Sequence, residues 1–348
     1  MKALTFHGLR DIRYAEAPDP QLLGARDAIV KVEIAGLCGS DLHVYHGRET
    51  GIDRGTVMGH EFVGRIEALG AEVRGFAPGD RVASPFSTNC GACYYCARGL
   101  SARCVSGQLF GWVEAGVGLH GGQAPLVRVP LADATLFRLP DDLGLREALL
   151  LCDVLPTGDH CAAMAEVGPG RTVAVLGCGP VGLAAVLSAR ERGAARIHAV
   201  DSVDERLARA AAFGATPVDL RRDDPVALVR ADTDGRGADA VLEAVGSTQA
   251  ARLAFDLVRP GGIISTAGVH HESAFPFSPA QAYDRNLTWR IGRCPARSLM
   301  EGLLPLVRRR RADLAALITH RLPLADGAEA YTLFDAKRDG CLKVAFQP

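Results

Sequence analysis

The chain has 348 residues, 48% of them hydrophobic, and a formal net charge of −1 at pH 7. This length suits two domains with sizeable cores. The near-neutral charge argues against a nucleic-acid partner, which normally requires a basic patch; the basic run 308–311 is interpreted as a solvated helix end. No signal peptide or apolar run of the ~18 residues that span a membrane is found. With ten cysteines, these features favour a reducing, cytoplasmic location without a membrane partner.

Residues 1 to about 150 are predicted to be rich in strands. The opening stretch, 1–18, predicts a strand followed by a turn. Three further stretches bounded by Gly, Pro and Asp are predicted as strands: DAIVKVEIAGLC, EFVGRIEALG and DRVASPF.

Four cysteines lie in one short segment of this strand-rich part, 88–105. They have the spacing C-x2-C-x2-C-x7-C and are Cys90, Cys93, Cys96 and Cys104. Four thiolates this close can complete a tetrahedral shell around zinc and leave no open position, which is typical of a structural site. An iron–sulfur cluster is the alternative metal site, and disulfides are the alternative without metal. Disulfide frameworks belong to small secreted domains, so the spacing favours zinc.

From about residue 154 the pattern changes to alternating strands and helices, which predicts a parallel sheet. The strand TVAVL is followed by the glycine-rich turn Gly177-Cys178-Gly179-Pro180-Val181-Gly182 and then by a helix. In that context the turn predicts a dinucleotide site, with the phosphates at the helix N-terminus. Asp201 ends the next strand, where a carboxylate binds the ribose hydroxyls and favours NAD over NADP. Arg206 is a basic residue one helix turn later.

The last segment, from 295, predicts a helix and a final strand that returns to the first domain. The predicted organisation is a catalytic domain over 1–152, a dinucleotide-binding domain over 153–294 and a return over 295–348.

A second zinc site is indicated by residue types that lie far apart in the sequence. Cys38, His60 and Asp153 suit zinc, and three protein ligands leave a fourth position open for substrate. Spacing alone cannot bring them together. Taken singly, Cys38 is equally well a buried core residue and Asp153 a helix cap.

The complete pattern resembles the zinc-dependent medium-chain alcohol dehydrogenases. The motifs that carry the resemblance lie in the family order over the full length: CGSD at 38–41, GHE at 59–61, the four-cysteine lobe, GGQAPLVRVP at 121–130 and GCGPVG at 177–182. SPFSTNCGACYYC and LLLCDVLPTG are most similar to the branch related to formaldehyde dehydrogenases. The resemblance implies an α/β protein with a GroES-like strand-rich catalytic domain and a Rossmann domain built on a doubly wound parallel sheet.

The resemblance also implies roles for matching residues. Cys38, His60 and Asp153 match the catalytic zinc ligands, and Glu61 matches a neighbouring carboxylate that can act as an alternate ligand. Ser40 and His43 match a proton relay through the nicotinamide ribose. The remaining residues implied to bind the cofactor are Val245, Gly268, Val269 and Arg293.

Two departures from the family pattern concern the cofactor and substrate sites. Asp159-His160 stands where an aromatic residue often follows Thr-Gly, and the long insertion of the glutathione-independent formaldehyde dehydrogenase is absent. The resemblance places Phe86, Leu109, Trp112 and Cys294 in the pocket wall, where apolar types favour a small alcohol or aldehyde.

The resulting hypothesis is an NAD-dependent alcohol dehydrogenase with two zinc ions per chain, acting on a small primary or secondary alcohol or the matching aldehyde or ketone. Relatives of this length suggest a homo-oligomer, more often a tetramer than a dimer. The alternatives are a polyol or amino-alcohol dehydrogenase of the same superfamily and a non-catalytic NAD-binding protein. The sequence does not identify the substrate, stereospecificity or direction.

Overall fold

The structure is a computed structural model that describes residues 1–348. The chain divides into two compact units, one formed by Met1–Pro156 with Pro295–Pro348 and the other by Thr157–Cys294. The predicted border between 152 and 153 is therefore four residues too early. Asp153 belongs to the first unit because its carboxylate faces Cys38 and His60 there. No helix has both the length and the apolar character needed to cross a bilayer.

The first segment of the first unit contains nine strands and three α-helices. They are β1 (Lys2–Gly8), β2 (Asp11–Glu16), β3 (Ala28–Leu37), α1 (Asp41–Tyr45), β4 (Phe62–Leu69), β5 (Arg81–Ser84), β6 (Trp112–Glu114), β7 (Val117–Leu119), β8 (Leu126–Val129), α2 (Ala132–Thr135), β9 (Phe137–Arg138) and α3 (Leu145–Leu150). The three strands predicted between 27 and 86 are confirmed as β3, β4 and β5. The opening stretch forms a two-stranded hairpin, β1 with β2, where the sequence indicated only one strand and a turn.

The second unit alternates strands and helices. After α4 (Val154–Met164), its elements are β10 (Thr172–Leu176), α5 (Pro180–Glu191), β11 (Arg196–Asp201), α6 (Asp204–Ala212), β12 (Thr216–Asp219), α7 (Pro225–Ala231), β13 (Ala238–Glu243), α8 (Thr248–Leu257), β14 (Val258–Thr266), α9 (Pro279–Asp284) and β15 (Thr288–Ile291). The six strands form one parallel sheet in the order β12-β11-β10-β13-β14-β15. All five residues of β10 are buried, as expected for a strand covered on both faces.

The chain returns to the first unit after β15. The returning elements are α10 (Ala296–Arg309), α11 (Arg311–Ala315), β16 (His320–Pro323), α12 (Gly327–Ala336) and β17 (Val344–Gln347). The final strand pairs with β3, with Val344 opposite Leu37, as the sequence predicted for a strand returning to the first domain. The main sheet of this unit has the order β16-β17-β3-β4-β5-β9, with β8 also paired to β3. In the basic run, Arg308 and Arg311 pair with Asp142.

The architecture is thus a GroES-like strand-rich unit and a Rossmann unit, as expected from the sequence. Each unit has its own buried hydrophobic cluster.

Candidate zinc and dinucleotide sites

The four lobe cysteines converge, with every pair of sulfur atoms within 4.8 Å. The Sγ atoms of Cys93 and Cys104 are 4.0 Å apart. A tetrahedral zinc site with Zn–S bonds of ≈ 2.3 Å separates its sulfurs by about 3.8 Å, whereas a disulfide requires about 2.05 Å. All ten cysteines are free. The disulfide alternative therefore fails, and the separation fits one tetrahedral ion.

Backbone N–H groups of the lobe point at the sulfur atoms. Cys90 N–H donates to Cys104 Sγ at 3.2 Å, and Cys93 N–H donates to Cys90 Sγ at 3.3 Å. The N–H groups of Cys96 and Val105 lower the pKa of Cys93 to about 6. Because the thiolate is the form that binds metal, these N–H groups favour the metal-binding form of Cys93, whereas burial raises the pKa of Cys96 to about 12.

A second group of metal-binding side chains is assembled in the first unit by the antiparallel pairing of β3 with β4. Ala35 lies opposite Phe62, so Cys38 just after β3 is brought beside His60 and Glu61 just before β4. Asp153 is added from the segment after α3, where the Cys152 thiol donates to Phe62 O at 3.3 Å. This pairing supplies the proximity that sequence spacing could not.

The ligand atoms of Cys38, His60, Glu61 and Asp153 lie within 4.8 Å of one another. Asp153 Oδ2 is 3.6 Å from Cys38 Sγ and 3.6 Å from His60 Nε2. Sulfur, imidazole nitrogen and carboxylate oxygen are the three ligand types that zinc takes in proteins. Three predicted ligands and the predicted neighbouring carboxylate are thus together in one cluster.

The electrostatics of this cluster favour a cation. Burial and the charge of Glu61 raise the pKa of Cys38, and burial raises the pKa of Glu61 against the opposing effect of Lys343. Burial lowers the pKa of His60, but Asp41 and hydrogen bonds to Asp153 outweigh it and raise that pKa well above its ordinary value. The Asp41 and Asp153 carboxylates that favour the protonated form of His60 would likewise favour a bound divalent cation.

Two charged residues that the sequence did not identify as site residues support this cluster. Lys343 Nζ donates to Glu61 Oε1 at 2.7 Å, and both side chains are almost fully buried. Burial alone lowers the pKa of Lys343, but Glu61 and Cys38 raise it to about 12, so the ammonium stays charged. Asp41 contacts His60 Nδ1 at 3.3 Å and accepts from Cys38 N–H at 2.9 Å.

The predicted relay residues lie beside the cluster, with Ser40 at the N-cap of α1 and His43 within that helix. Ser40 Oγ lies 3.3 Å from Cys38 Sγ and 3.4 Å from His60 Nε2. His43 Nδ1 is 3.8 Å from Glu49 Oε1. Ser40 therefore lies next to two candidate ligand atoms, while His43 lies three residues further along the chain.

The glycine-rich turn of the second unit lies between β10 and α5, as predicted. Gly177 has φ +85°, and a Cβ on Gly182 would collide with Gly177 O, so both positions require glycine. A Cβ on Gly179 would meet only Arg206 Nη1, at 4.0 Å. Internal packing does not demand glycine at 179, whereas close approach of a pyrophosphate does. The turn therefore fits a dinucleotide.

Asp201 ends β11, and its carboxylate holds the glycine-rich turn. Its Oδ2 accepts from Cys178 N–H at 2.7 Å, and its Oδ1 accepts from Ser202 N–H at 2.7 Å and Val203 N–H at 3.0 Å. Arg206 Nη1 is 3.9 Å from Oδ2. The sequence did not indicate this structural role.

The remaining predicted cofactor residues follow the carboxyl ends of neighbouring strands. Val245 follows β13, Gly268 and Val269 follow β14, and Arg293 follows β15. Val245 and Val269 are 50% and 45% exposed, respectively. Ligands of open parallel sheets bind at this edge, so these positions are compatible with a cofactor site.

Asp159, which departs from the family pattern, forms an ion pair with Arg192 of the same unit. Arg192 Nη2 donates to both carboxylate oxygens of Asp159 at 3.0 Å. The ion pair explains how a carboxylate is accommodated on α4. Burial lowers the pKa of the adjacent His160.

Comparison with known families gives two matches along the chain. Residues 24–141 match the family described as alcohol dehydrogenase GroES-like domain, and residues 180–309 match the family described as zinc-binding dehydrogenase.

Individual known proteins align with this chain over most of its length and of their own. A medium-chain reductase/dehydrogenase from an Acremonium species is 46% identical over 82% of this chain and 98% of its own. Zinc-type alcohol dehydrogenase B from Aspergillus flavus is 39% identical over 97% of this chain and 79% of its own. Among solved structures, an alcohol dehydrogenase from Thermus sp. ATN1 is 39% identical with a TM-score of 0.93, over 100% of this chain and 99% of that one.

Proposed function

Because the chain belongs to the zinc-dependent medium-chain alcohol dehydrogenases, we propose that it catalyses reversible hydride transfer between a small alcohol and NAD at a zinc ion held by Cys38, His60 and Asp153. The observation that carries this proposal is the convergence of these three ligand types with Glu61 within 4.8 Å. The non-catalytic alternative predicts no such cluster. Placement in the formaldehyde-dehydrogenase-related branch stays a prediction.

The proposed mechanism assigns a task to each side chain. When bound, zinc polarises the substrate oxygen as a Lewis acid and NAD accepts the hydride. Ser40, beside Cys38 and His60, is positioned to take the proton of the substrate hydroxyl. As Ser40 takes that proton it gives up its own hydroxyl proton, and His43 is proposed as the final acceptor of the relay. Glu61 is held by Lys343 and is proposed as an alternate ligand.

NAD is proposed as the cofactor rather than NADP. The support is the Asp201 carboxylate at the end of β11, which would accept ribose hydroxyls and repel a 2′-phosphate. Arg206 lies 3.9 Å from that carboxylate, and their ion pair offsets the attraction that a free guanidinium would offer to a phosphate. We propose that Gly177, Gly179 and the start of α5 bind the pyrophosphate.

The remaining cofactor contacts are proposed at the edge formed by the strand ends. Their residues are Pro180, Val181, Gly182, Val245, Gly268, Val269 and Arg293.

The proposed substrate is a small alcohol with an apolar substituent, or the matching aldehyde or ketone. Phe110 N–H donates to Phe86 O at 3.2 Å, and a Cβ on Gly111 would lie 3.2 Å from Gly59 N. The segment holding Leu109 and Trp112 is therefore packed beside His60. Its aromatic and aliphatic side chains favour this substrate class over a polyol.

A substrate panel tests the proposed activity. Purified protein is assayed with NAD⁺ and with NADP⁺ against 2-butanol, benzyl alcohol, formaldehyde, sorbitol and threonine, by absorbance of the reduced cofactor. We expect turnover of 2-butanol or benzyl alcohol with NAD⁺. Turnover confined to sorbitol or threonine would identify a polyol or amino-alcohol dehydrogenase, and binding of NADH without turnover of any substrate would support the non-catalytic alternative.

We also propose that the lobe cysteines hold a structural zinc, that the chain works in the cytoplasm, and that it is a homo-oligomer, a tetramer in preference to a dimer. Ten free cysteines suit a reducing compartment. Strand β15 is an edge of its sheet, and Phe275, Tyr283 and Ile291 are 62%, 87% and 52% exposed, which supports association. Light scattering coupled to size exclusion gives the oligomeric state, and a monomeric mass would contradict the proposal.

A further inference from the structure

A chain of buried polar side chains runs from helix α12 to the candidate zinc ligands. Tyr331 and Gln123 have no exposed surface, and Asp41 is 4% exposed. Tyr331 OH donates to Gln123 Oε1 at 2.9 Å, and Gln123 Nε2 donates to Gly36 O at 3.0 Å and to Asp41 Oδ2 at 3.4 Å. Asp41 then contacts His60 and the backbone of Cys38.

The direction of each hydrogen bond follows from the chemistry of the groups. Gly36 O and the Asp41 carboxylate only accept, so the Gln123 amide must present its NH₂ to them and its oxygen to Tyr331. Burial raises the pKa of Tyr331 well above its ordinary value, which keeps the hydroxyl protonated as a donor. Losing this hydroxyl would remove the partner of Gln123 Oε1, which is fully buried.

Gln123 also packs on the backbone that presents His60. Gly59 has φ +89°, and a Cβ there would collide with Gln123 Cγ and approach its Cδ to 2.9 Å. Gln123 therefore reaches His60 by two routes, one through Asp41 and the other through Gly59. This packing contact is independent of the hydrogen bonds.

We propose that Tyr331 and Gln123 are positioning residues of the catalytic zinc site, which hold Asp41 so that His60 and Cys38 keep the geometry that binds the metal. The inference rests on the proposed function, because it assumes that Cys38, His60 and Asp153 hold zinc. Groups that orient a ligating histidine typically change metal affinity or activity by about 10–100-fold when they are removed. The alternative is that Tyr331 only fills the core.

The test measures zinc release from the purified holoprotein to the chromogenic chelator 4-(2-pyridylazo)resorcinol. Two release phases are expected. Cys38→Ala retains only the phase of the four-cysteine lobe, and Cys93→Ser retains only the phase of the catalytic site. The lobe phase is an internal control, because general destabilisation would accelerate both phases.

Tyr331→Phe removes one hydroxyl and keeps the ring. It is expected to accelerate the Cys38-dependent phase about tenfold, at the lower end of the range for such groups, and to leave the lobe phase unchanged. Tyr45→Phe is the matched control, since Tyr45 is also buried and its ring centroid is 5.6 Å from that of Tyr331. The control is expected to stay within about twofold of the wild type.

Gln123→Met is the second test variant, because methionine keeps about the same side-chain volume and removes the amide. Once the amide is absent, adding Tyr331→Phe is expected to change the Cys38-dependent phase by less than about twofold. An unchanged Cys38-dependent phase in Tyr331→Phe, or equal acceleration of both phases, would overturn the inference. Release from Cys38→Ala that matches the wild type in both phases would instead overturn the proposed zinc site, so the two failures are distinguishable.

Discussion

Substituting Lys343 by methionine should destabilise the first unit strongly. The ammonium is 2.7 Å from Glu61 Oε1, and the two side chains are 1% and 0% exposed. At that distance an effective dielectric constant of 20 gives an attraction of about 6 kcal/mol, part of which offsets the cost of burying both charges. Removing one partner leaves the buried Glu61 carboxylate without its ammonium partner, which typically costs about 3–5 kcal/mol.

The assay is thermal and urea unfolding of the purified variants. At roughly 2–4 °C per kcal/mol, Lys343→Met should lower the melting temperature by roughly 6–20 °C. Adding Glu61→Gln should recover part of the loss, because no unpaired charge then remains. Lys31→Met, at an exposed position of β3, is the control and should stay within about 0.5 kcal/mol of the wild type. A wild-type melting temperature for Lys343→Met, or no recovery in the double variant, would refute the reasoning.

Two further predictions concern the lobe and the cofactor. Cys93→Ser should lower zinc content by about one ion per chain and lower the melting temperature, since a structural zinc contributes to folding free energy. Cys161→Ala is the control. Loss of activity with intact stability in Cys93→Ser would contradict the structural role. Asp201→Asn should raise the ratio of kcat/KM for NADP⁺ over NAD⁺ roughly tenfold, because it removes the charge that repels the 2′-phosphate. It should also weaken the hydrogen bond from Cys178 N–H that holds the glycine-rich turn. An unchanged ratio would show that the carboxylate does not face the ribose.

Features set by local patterns could be predicted from the sequence. The parallel sheet follows from apolar strands such as β10 that are followed by helices, and the glycine-rich turn follows from its place between β10 and α5. The convergence of the lobe cysteines follows from their short spacing. In each case, residues close in sequence determine the structure.

Features that depend on distant pairing could not be predicted from local patterns. The contact of Lys343 with Glu61 requires β17 to pair with β3, and nothing near either residue indicates a partner 282 positions away. The hydrogen bond between Tyr331 and Gln123 likewise joins residues 208 positions apart, and no local pattern indicates it. The border lies four residues later than predicted, because the change to alternating strands and helices begins near 154 while the carboxylate of Asp153 faces the first unit.

The central claim is that Cys38, His60 and Asp153 hold a zinc ion on which turnover depends. The most direct test is Cys38→Ala, with zinc content and alcohol oxidation measured on the same preparation and NADH binding measured by fluorescence titration. We predict one zinc per chain instead of two, turnover at least about a hundredfold lower because the Lewis acid is lost, and retained NADH binding. Wild-type turnover, or two zinc ions per chain in this variant, would contradict the claim.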